Sequence, residues 1–509
     1  MTTPTTTLGT TGRRGPVLEV VVFCVGMASL GAEIAAARLL APWFGASTIV
    51  WANTIATVLV ALSAGYAIGG RLADRNPTMA GLSRWVVLAA AFLALVPWVS
   101  GPLLRQSTKA FAELSGGLFV GSLLGVGVLI ALPILLLGIV SPYAVRLKVD
   151  QVSEAGKVTG RLYAIGTIGS LTGTFLAALL LIPVVGTHRT FLLFALALAV
   201  AALPGLGRRW VAGAVVAVVI AALLLVPEGA TKAASSYGKV IWEKETEYQY
   251  ARVIQRPDGE RLLELNEGLA VHSVYTPGQW LTEGYWDDMT VLPFAGEHPP
   301  RRVAILGSAG GTTARAITHY FPGVHVDAVE LDPDITAVGR RLFDLHGSRI
   351  TTHTADARPW MAAQRGRYDA ILVDAYRQPY IPFYLATKEF FTEVRDHLDP
   401  GGVVAVNVGH PEQSRKLEQV LTATLANVFG RGHVFRDPVD ATNTMLLGTT
   451  GDVPPTDRLL AAAMPDDVQS VADEVAGRLA PGLRGGSVYT DDKAPVEWLV
   501  DLSLAQVAR

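Results

Sequence analysis

Cysteine is almost absent: the 509 residues hold one, Cys24, set in an apolar run, so neither a disulfide framework nor a cysteine metal site is available. Charge is scarce and nearly balanced. Charged residues make up 17% of the chain and the formal net charge is −2, which leaves no basic footprint for nucleic acid. The ten histidines show no ligand spacing, so no metal site is expected, and His319, His325 and His353 read as surface or sheet residues. Acidic residues are rare before Pro227 and common after it. That asymmetry splits the chain into an apolar half and a mixed half, and its length alone exceeds one ordinary core.

What the first half does have is long hydrophobic runs. The Thr-rich residues 1–16 are expected to be disordered. Apolar runs then follow at 17–40, 49–70, 85–104, 118–140, 164–185, 191–207 and 210–226. Each is near the ~20 residues a helix needs to cross a bilayer, although the last two are short, so residues 17–227 are expected to be an α-helical membrane bundle of about seven spans. With the N-terminus inside, cytoplasmic segments would hold Arg13, Arg14, Arg71, Arg75, Arg84, Arg146, Lys148, Lys157, Arg161, Arg208 and Arg209, against Arg38, Arg105, Lys109 and Arg189 outside. That excess, 11 against 4, supports the orientation and a multi-pass protein of the cell (inner) membrane in contact with lipid. An odd number of crossings puts the second half outside. A re-entrant run near 191–226 would return it to the cytoplasm, and the side stays open.

Three features of this half go beyond hydropathy. Gly69-Gly70-Arg71-Leu72-Ala73-Asp74-Arg75 partly resembles the loop signature between the second and third helices of major facilitator transporters. Gly166, Gly169, Ser170 and Gly173 form a small-residue seam that suits close helix packing. Glu33 lies within the first run with Arg38 five residues on, and an intramembrane carboxylate is a functional candidate.

The second half begins with a linker and small β-unit over 228–276. Tyr248–Ile254 and Arg261–Leu265 are strand-like runs on either side of Pro257-Asp258-Gly259, a hairpin signal because proline fixes φ and glycine accepts positive φ. Residues 277–509 are expected to form an α/β, Rossmann-like domain of methyltransferase type. Strands are predicted at Arg302–Leu306, His325–Val329, Ile350–His353, Tyr368–Val373 and Val403–Asn407, with helices between them, Pro333 near the start of one and Pro400-Gly401-Gly402 ending another. Polar residues stand at the strand ends. The glycine loop Gly307-Ser308-Ala309-Gly310-Gly311 follows the first strand and Glu330 the second, while Asp356 and Asp374 follow the third and fourth. Four such positions converge on one crevice in a doubly wound sheet, although any one of them could be a helix cap. The loop is not the Gly-x-Gly-x-x-Gly of dinucleotide enzymes, and an acid after the third strand fits an adenosyl ligand better than NAD.

On these residues the span from about Tyr237 to Thr449 resembles the spermidine synthase family of aminopropyltransferases. The whole chain looks like the bacterial variants in which that domain follows a multi-span membrane region. The resemblance implies transfer of an aminopropyl group from decarboxylated S-adenosylmethionine to a polyamine amine, putrescine to spermidine being the family reaction, and a homodimer. It also implies that Gln249, Gly307, Gly310, Gly311, Glu330 and Asp356 hold the adenosyl donor, Glu330 at the ribose and Asp356 at adenine. Tyr285 matches the tyrosine that orients the amine, and Asp374 the first aspartate of the catalytic loop. Departures are equally plain. Ala309 stands where the family has a loop aspartate, Arg377 replaces the second catalytic-loop aspartate, and Trp286 replaces the glutamine after the tyrosine. Fewer acids and an added cation disfavour a dicationic diamine; replacements are sought in Glu283, Asp287, Asp288 or the tail Thr490–Glu497. Two other functions remain open: an S-adenosylmethionine-dependent methyltransferase on the same sheet, and a non-catalytic polyamine transporter or sensor.

Overall fold

The computed structural model describes residues 14–44, 48–111, 117–149, 151–227, 237–266, 270–376 and 381–500. The chain divides into two compact units, with the break between residues 233 and 234.

The first unit is helical: α1 (Arg14–Phe44), α2 (Thr48–Arg75), α3 (Met79–Phe111), α4 (Gly117–Gly138), α5 (Val140–Lys148), α6 (Ala155–Leu176), α7 (Ile182–Ala202) and α8 (Trp210–Leu223). Residues 1–13, most of the expected disordered start, lie outside the described residues, and the first helix begins at Arg14. Every apolar run read from the sequence falls on a helix. By length and composition, however, five stretches among the described residues suffice to cross a membrane: Gly15–Phe44, Thr48–Arg75, Met79–Ser107, Phe119–Lys148 and Val152–Gly205. The difference from seven has two causes. The fifth stretch takes in two of the expected runs, continuous but for a break at Gly186, whose φ of 84° and ψ of 168° are not helical. α8 has only 14 residues.

Close approach in this unit depends on missing side chains. Gly169 and Gly173 of α6 lie against the backbone of Phe23 and Met27 in α1, and Gly26 lies against Gly166, so the small-residue seam is a packing surface. Ser170 adds a hydrogen bond from its hydroxyl to the Gly26 carbonyl at 3.2 Å. The glycines of α2 do the same, Gly65 against Leu135 and Gly69 against Ile139, and Asp74 closes that end with an ion pair to Arg146 at 3.2 Å.

The second unit opens with an antiparallel meander of β1 (Lys239–Glu245), β2 (Tyr250–Gln255), β3 (Arg261–Leu265) and β4 (Val271–Tyr275). Its β2–β3 turn is the expected one: Gly259 has φ 92°, and the Asp258 carboxylate accepts from the Glu260 amide at 3.0 Å. There follow α9 (Tyr285–Val291), β5 (Arg302–Leu306), α10 (Thr312–Tyr320), β6 (His325–Glu330), α11 (Pro333–Leu342), β7 (Ile350–Thr354), α12 (Ala357–Ala362) and β8 (Tyr368–Val373). The rest is α13 (Lys388–Asp396), β9 (Leu398–Gly409), α14 (Lys416–Phe429), β10 (Val434–Pro438), β11 (Asn443–Thr449), α15 (Pro455–Ala461), α16 (Asp466–Arg478) and β12 (Ala480–Pro481).

The strand order β12-β10-β11-β9-β8-β5-β6-β7 is a Rossmann-like sheet, parallel from β9 to β7 with an antiparallel edge. Its central strands are buried on both faces. Ala304, Leu306, Ile371, Val373, Val404 and Val406 pack with α13 and α14, while Val303, Ile305, Ala370, Leu372, Val403 and Ala405 pack with α9, α10 and α16. The order reverses between β5 and β8, and that switch point opens a crevice at the carboxyl ends of β5, β6 and β8. One expectation needs correcting. Pro400-Gly401-Gly402 does not end a helix: α13 stops at Asp396, and the three residues lie inside β9 where pairing jumps from Tyr368–Leu398 to Ala370–Val403. Gly401, at φ 81°, makes that irregularity possible.

Candidate active site

The crevice holds a cavity of about 310 Å³ lined by Gln249, Gly307, Ala309, Glu330, Asp356 and Asp374 from the predicted set, together with Tyr248, His272, Asp332, Tyr376 and Tyr384. Gly307 must be glycine. Its φ is 91°, and a Cβ there would sit 2.5 Å from the Asp374 carbonyl oxygen and from the Ala375 Cα, so the loop after β5 can touch the loop after β8 only without a side chain. Gly310 and Gly311 do not line the cavity. They sit behind the loop, Gly310 donating its amide to the Ser273 hydroxyl at 2.8 Å and Gly311 packing on Leu345 at φ 90°.

The loop amides are all spent on the protein. Gly307 and Ser308 donate to the Val329 carbonyl at 2.9 Å, Ala309 to the Glu330 carboxylate at 2.9 Å, Gly310 to Ser273 and Gly311 to the Ser308 carbonyl at 2.8 Å. A loop that cradles phosphate needs those N–H groups free. This one does not offer them.

Glu330 accepts from Ala309 on one oxygen and from the Asp332 amide at 3.0 Å on the other, which leaves a lone pair on each for a ligand. Burial pushes its carboxyl up to about 7, with those amides opposing. Asp332 caps α11 through the Asp334 amide at 2.9 Å, beside Pro333 in the first turn, and takes the Thr246 hydroxyl from the β-unit at 2.5 Å. Asp356 is a helix cap, accepting from the Arg358 amide at 3.1 Å, yet its second oxygen meets the Tyr384 hydroxyl at 3.1 Å on the cavity wall.

Asp374 stands one residue past β8. Its oxygens accept from the Tyr285 hydroxyl at 3.1 Å and from the Asn407 side-chain amide at 2.8 Å. Burial lifts the carboxyl to about 7, against the pull of those two donors, while Tyr285 is pushed well above its usual range by burial and by the Asp374 charge. Tyr285 thus stays protonated, and Asp374 is poised near neutrality to take a proton. Tyr285 itself does not line the cavity; it reaches the site through Asp374. Sequence reasoning missed Asn407, Tyr376 and Tyr384. Asn407 had a signal, since it follows an apolar run as Asp374 does; the two tyrosines had none.

The departures have structural consequences. Ala309 adopts φ 45°, a left-handed conformation that costs a residue with a Cβ. Trp286 stacks on Tyr285 with ring centroids 4.2 Å apart and is buried against Leu262 and Val274. Arg377 lies outside the described residues. None of the acids sought as replacements lines the cavity. Asp287 folds onto the amides of Thr282 and Glu283, Asp288 pairs with Arg478 at 2.7 Å, and Asp491 pairs with Arg358 at 2.7 Å; Glu283 is exposed. His325 and His353 flank Asp327, His353 at 2.9 Å, and His319 stacks on Trp280.

Residues 282–436 match the family model described as the spermine/spermidine synthase domain, and over that span the resemblance read from the residues holds. A probable polyamine aminopropyl transferase of Bifidobacterium longum is 32% identical over 277 residues, which is 51% of this chain and 61% of that protein. A polyamine aminopropyltransferase of Vibrio vulnificus is 33% identical over 193 residues, 37% of this chain and 64% of its own. The chain therefore spans about three fifths of the length of these curated relatives. The solved structure of a probable spermidine synthase from Corynebacterium glutamicum aligns with 50% of this chain and 98% of its own at 21% identity and a TM-score of 0.38.

Proposed function

We propose, taking residues 282–436 as a spermine/spermidine synthase domain, that this chain transfers an aminopropyl group from decarboxylated S-adenosylmethionine to an amine, as in the family's conversion of putrescine to spermidine. One observation carries the reading: the cavity is lined by four carboxylates, Glu330, Asp332, Asp356 and Asp374, and by no lysine or arginine among the described residues. A ligand bearing a sulfonium and an ammonium finds counter-charges there. S-Adenosylmethionine brings a carboxylate that finds none, which sets aminopropyl transfer ahead of methyl transfer.

In this reading the free lone pairs of Glu330 take the ribose hydroxyls, Asp356 and Tyr384 border the adenine, and Gln249 holds the donor's tail. The acceptor reaches Asp374 as an ammonium ion, which cannot attack until it loses a proton. Asp374 takes that proton. The amine lone pair then displaces sulfur from the aminopropyl methylene bonded to it: the N–C bond forms, the C–S bond breaks with its electron pair going to sulfur, and methylthioadenosine leaves as a neutral thioether. The first unit anchors this activity in the cell membrane, in contact with lipid and with the N-terminus inside. Its support is the hydropathy and length of the five helical stretches, and, for the N-terminus, the cation excess of 11 against 4 counted on the seven apolar runs.

Calorimetry on the full-length protein tests the donor. Decarboxylated S-adenosylmethionine and methylthioadenosine are expected to bind at least tenfold more tightly than S-adenosylmethionine. Tighter binding of the carboxylated donor would overturn the reading.

A further inference from the structure

Asp374 and Asn407 are brought together by register. Val373 of β8 pairs with Val406 of β9, so the residue after each strand's apolar run stands beside its counterpart. β9 in turn pairs antiparallel with β11, Met445 opposite Asn407 and Asn443 opposite Gly409, which sets Asn443 diagonally next to Asn407 on the same face. Asn407 is 4% exposed, so its amide has to be satisfied inside the protein. It is: Nδ2 donates to Asp374 Oδ1 at 2.8 Å, and Oδ1 accepts from Asn443 Nδ2 at 2.8 Å. The orientation is set by the Asp374 carboxylate and matched by Asn443 as it stands. An ionised carboxylate cannot donate and an Asn443 NH2 group cannot accept, so turning the Asn407 amide over would break both bonds.

We propose that Asn407, held by Asn443, is the positioning residue that commits Asp374 Oδ1 to accepting, so that the acceptor amine's proton lands on Oδ2, the oxygen shared with Tyr285. The inference rests on the aminopropyl-transfer reading and adds to it the relay that aims the base. When Oδ2 gains the proton, the Tyr285 hydroxyl turns from donor to acceptor. Asn407 also carries a structural link that is separate from this one: its backbone carbonyl accepts the Tyr376 hydroxyl at 2.9 Å. A side-chain substitution leaves that link in place.

The titratable groups facing Asp374 are Tyr285 from α9 and Tyr376 from the segment after β8, with Tyr248, His272, Glu330, Asp332, Asp356 and Tyr384 on the same cavity. Of the two hydrogen bonds that hold the Asp374 carboxyl down against burial, the one from Asn407 is the larger influence. Its loss lets the carboxyl climb.

The test is the pH profile of kcat/KM for the full-length protein beside Asn407→Leu, which keeps size and removes the donor, and Asn443→Leu. The acid limb is expected to move up by about one pH unit in Asn407→Leu, as fits one lost hydrogen bond to a charged group. Asn443→Leu should move it the same way by less, and the KM for the donor should hold in both. If Asn407→Leu does not fold, Asn443→Leu carries the test alone. Lower thermal stability with an unmoved acid limb would mean a structural role only and would overturn the proposal. Infrared difference titration of the Asp374 carboxyl, its band assigned by loss in Asp374→Asn, separates this from the function. An unshifted titration in the leucine variants refutes the relay. A shifted titration in a protein that transfers no aminopropyl group supports the relay and refutes the reaction.

Discussion

Replacing Asp374 with asparagine should stabilise the second unit in mild alkali while removing most of the turnover. The Asp374 carboxyl is raised from its ordinary 3.8 to about 7 by burial, which at about 1.36 kcal/mol per pH unit costs the ionised folded state about 4 kcal/mol. The sign follows from the direction. A carboxyl with a raised folded pKa contributes stability that is fully present below about 3.8 and is lost as pH climbs to about 7. At about pH 5 some 1.5 kcal/mol is gone, and at about pH 8 nearly all 4. Asparagine does not titrate, yet it keeps both partners, accepting from Asn407 and donating to the Tyr285 oxygen. The advantage of Asp374→Asn over the wild type should therefore grow by about 2–3 kcal/mol between pH 5 and pH 8, or roughly 5–10 °C in Tm for a unit of this size. Thermal unfolding of both proteins at the two pH values isolates the effect, because every other titrating group is common to them. Turnover should fall by roughly 10² to 10⁴ with donor binding kept. An advantage that does not grow with pH, or a near wild-type rate, would refute the placement of Asp374 as a buried base.

Glu330→Gln should weaken methylthioadenosine by about 1–3 kcal/mol, and wild-type affinity should decline as pH falls below about 7 because the protonated acid loses charge; calorimetry showing neither would break the ribose assignment. Ala309→Gly relieves the left-handed strain at φ 45° and should raise stability by about 0.5–1 kcal/mol after glycine's entropy cost, so a lower Tm would contradict it. Gly307→Ala forces a Cβ against the Asp374 carbonyl and should lower stability by at least about 2 kcal/mol; an unchanged Tm would show that the two loops do not meet as described. In a chain lacking Cys24, Gln413→Cys on an exposed site should react with an impermeant thiol reagent in intact cells if the seven apolar runs each cross, and protection would show an even number of crossings.

Much of the second unit was legible because its strands carry their own boundaries. Arg302–Leu306 and Tyr368–Val373 came out as predicted, since each is a short apolar run stopped by a polar or glycine residue, and a parallel strand buried on both faces has no other pattern to show. The same stops marked Glu330, Asp356 and Asp374, which line the cavity. β9 was read short because Pro400-Gly401-Gly402 looks like a terminator, and only pairing with β8 across an irregular step keeps that stretch in the sheet. Asn407's contact with Asp374, and the approach of Tyr384 to Asp356, are tertiary facts about adjacent strand ends and a later turn. In the first unit each apolar run lies on a helix, but the less apolar α5 was not read. Hydropathy could not tell one long helical stretch broken at Gly186 from two separate spans, because a non-helical glycine between apolar runs leaves the average hydropathy unchanged.

The central claim is that a cavity lined by four carboxylates, and by no lysine or arginine among the described residues, transfers a three-carbon amine with Asp374 as its base. The most direct measurement is mass spectrometry of the products when purified full-length protein is given decarboxylated S-adenosylmethionine, or S-adenosylmethionine, with putrescine and a panel of other amines. The account predicts methylthioadenosine and an amine heavier by one aminopropyl group, from the decarboxylated donor only and lost in Asp374→Asn. S-Adenosylhomocysteine with a methylated acceptor would contradict it.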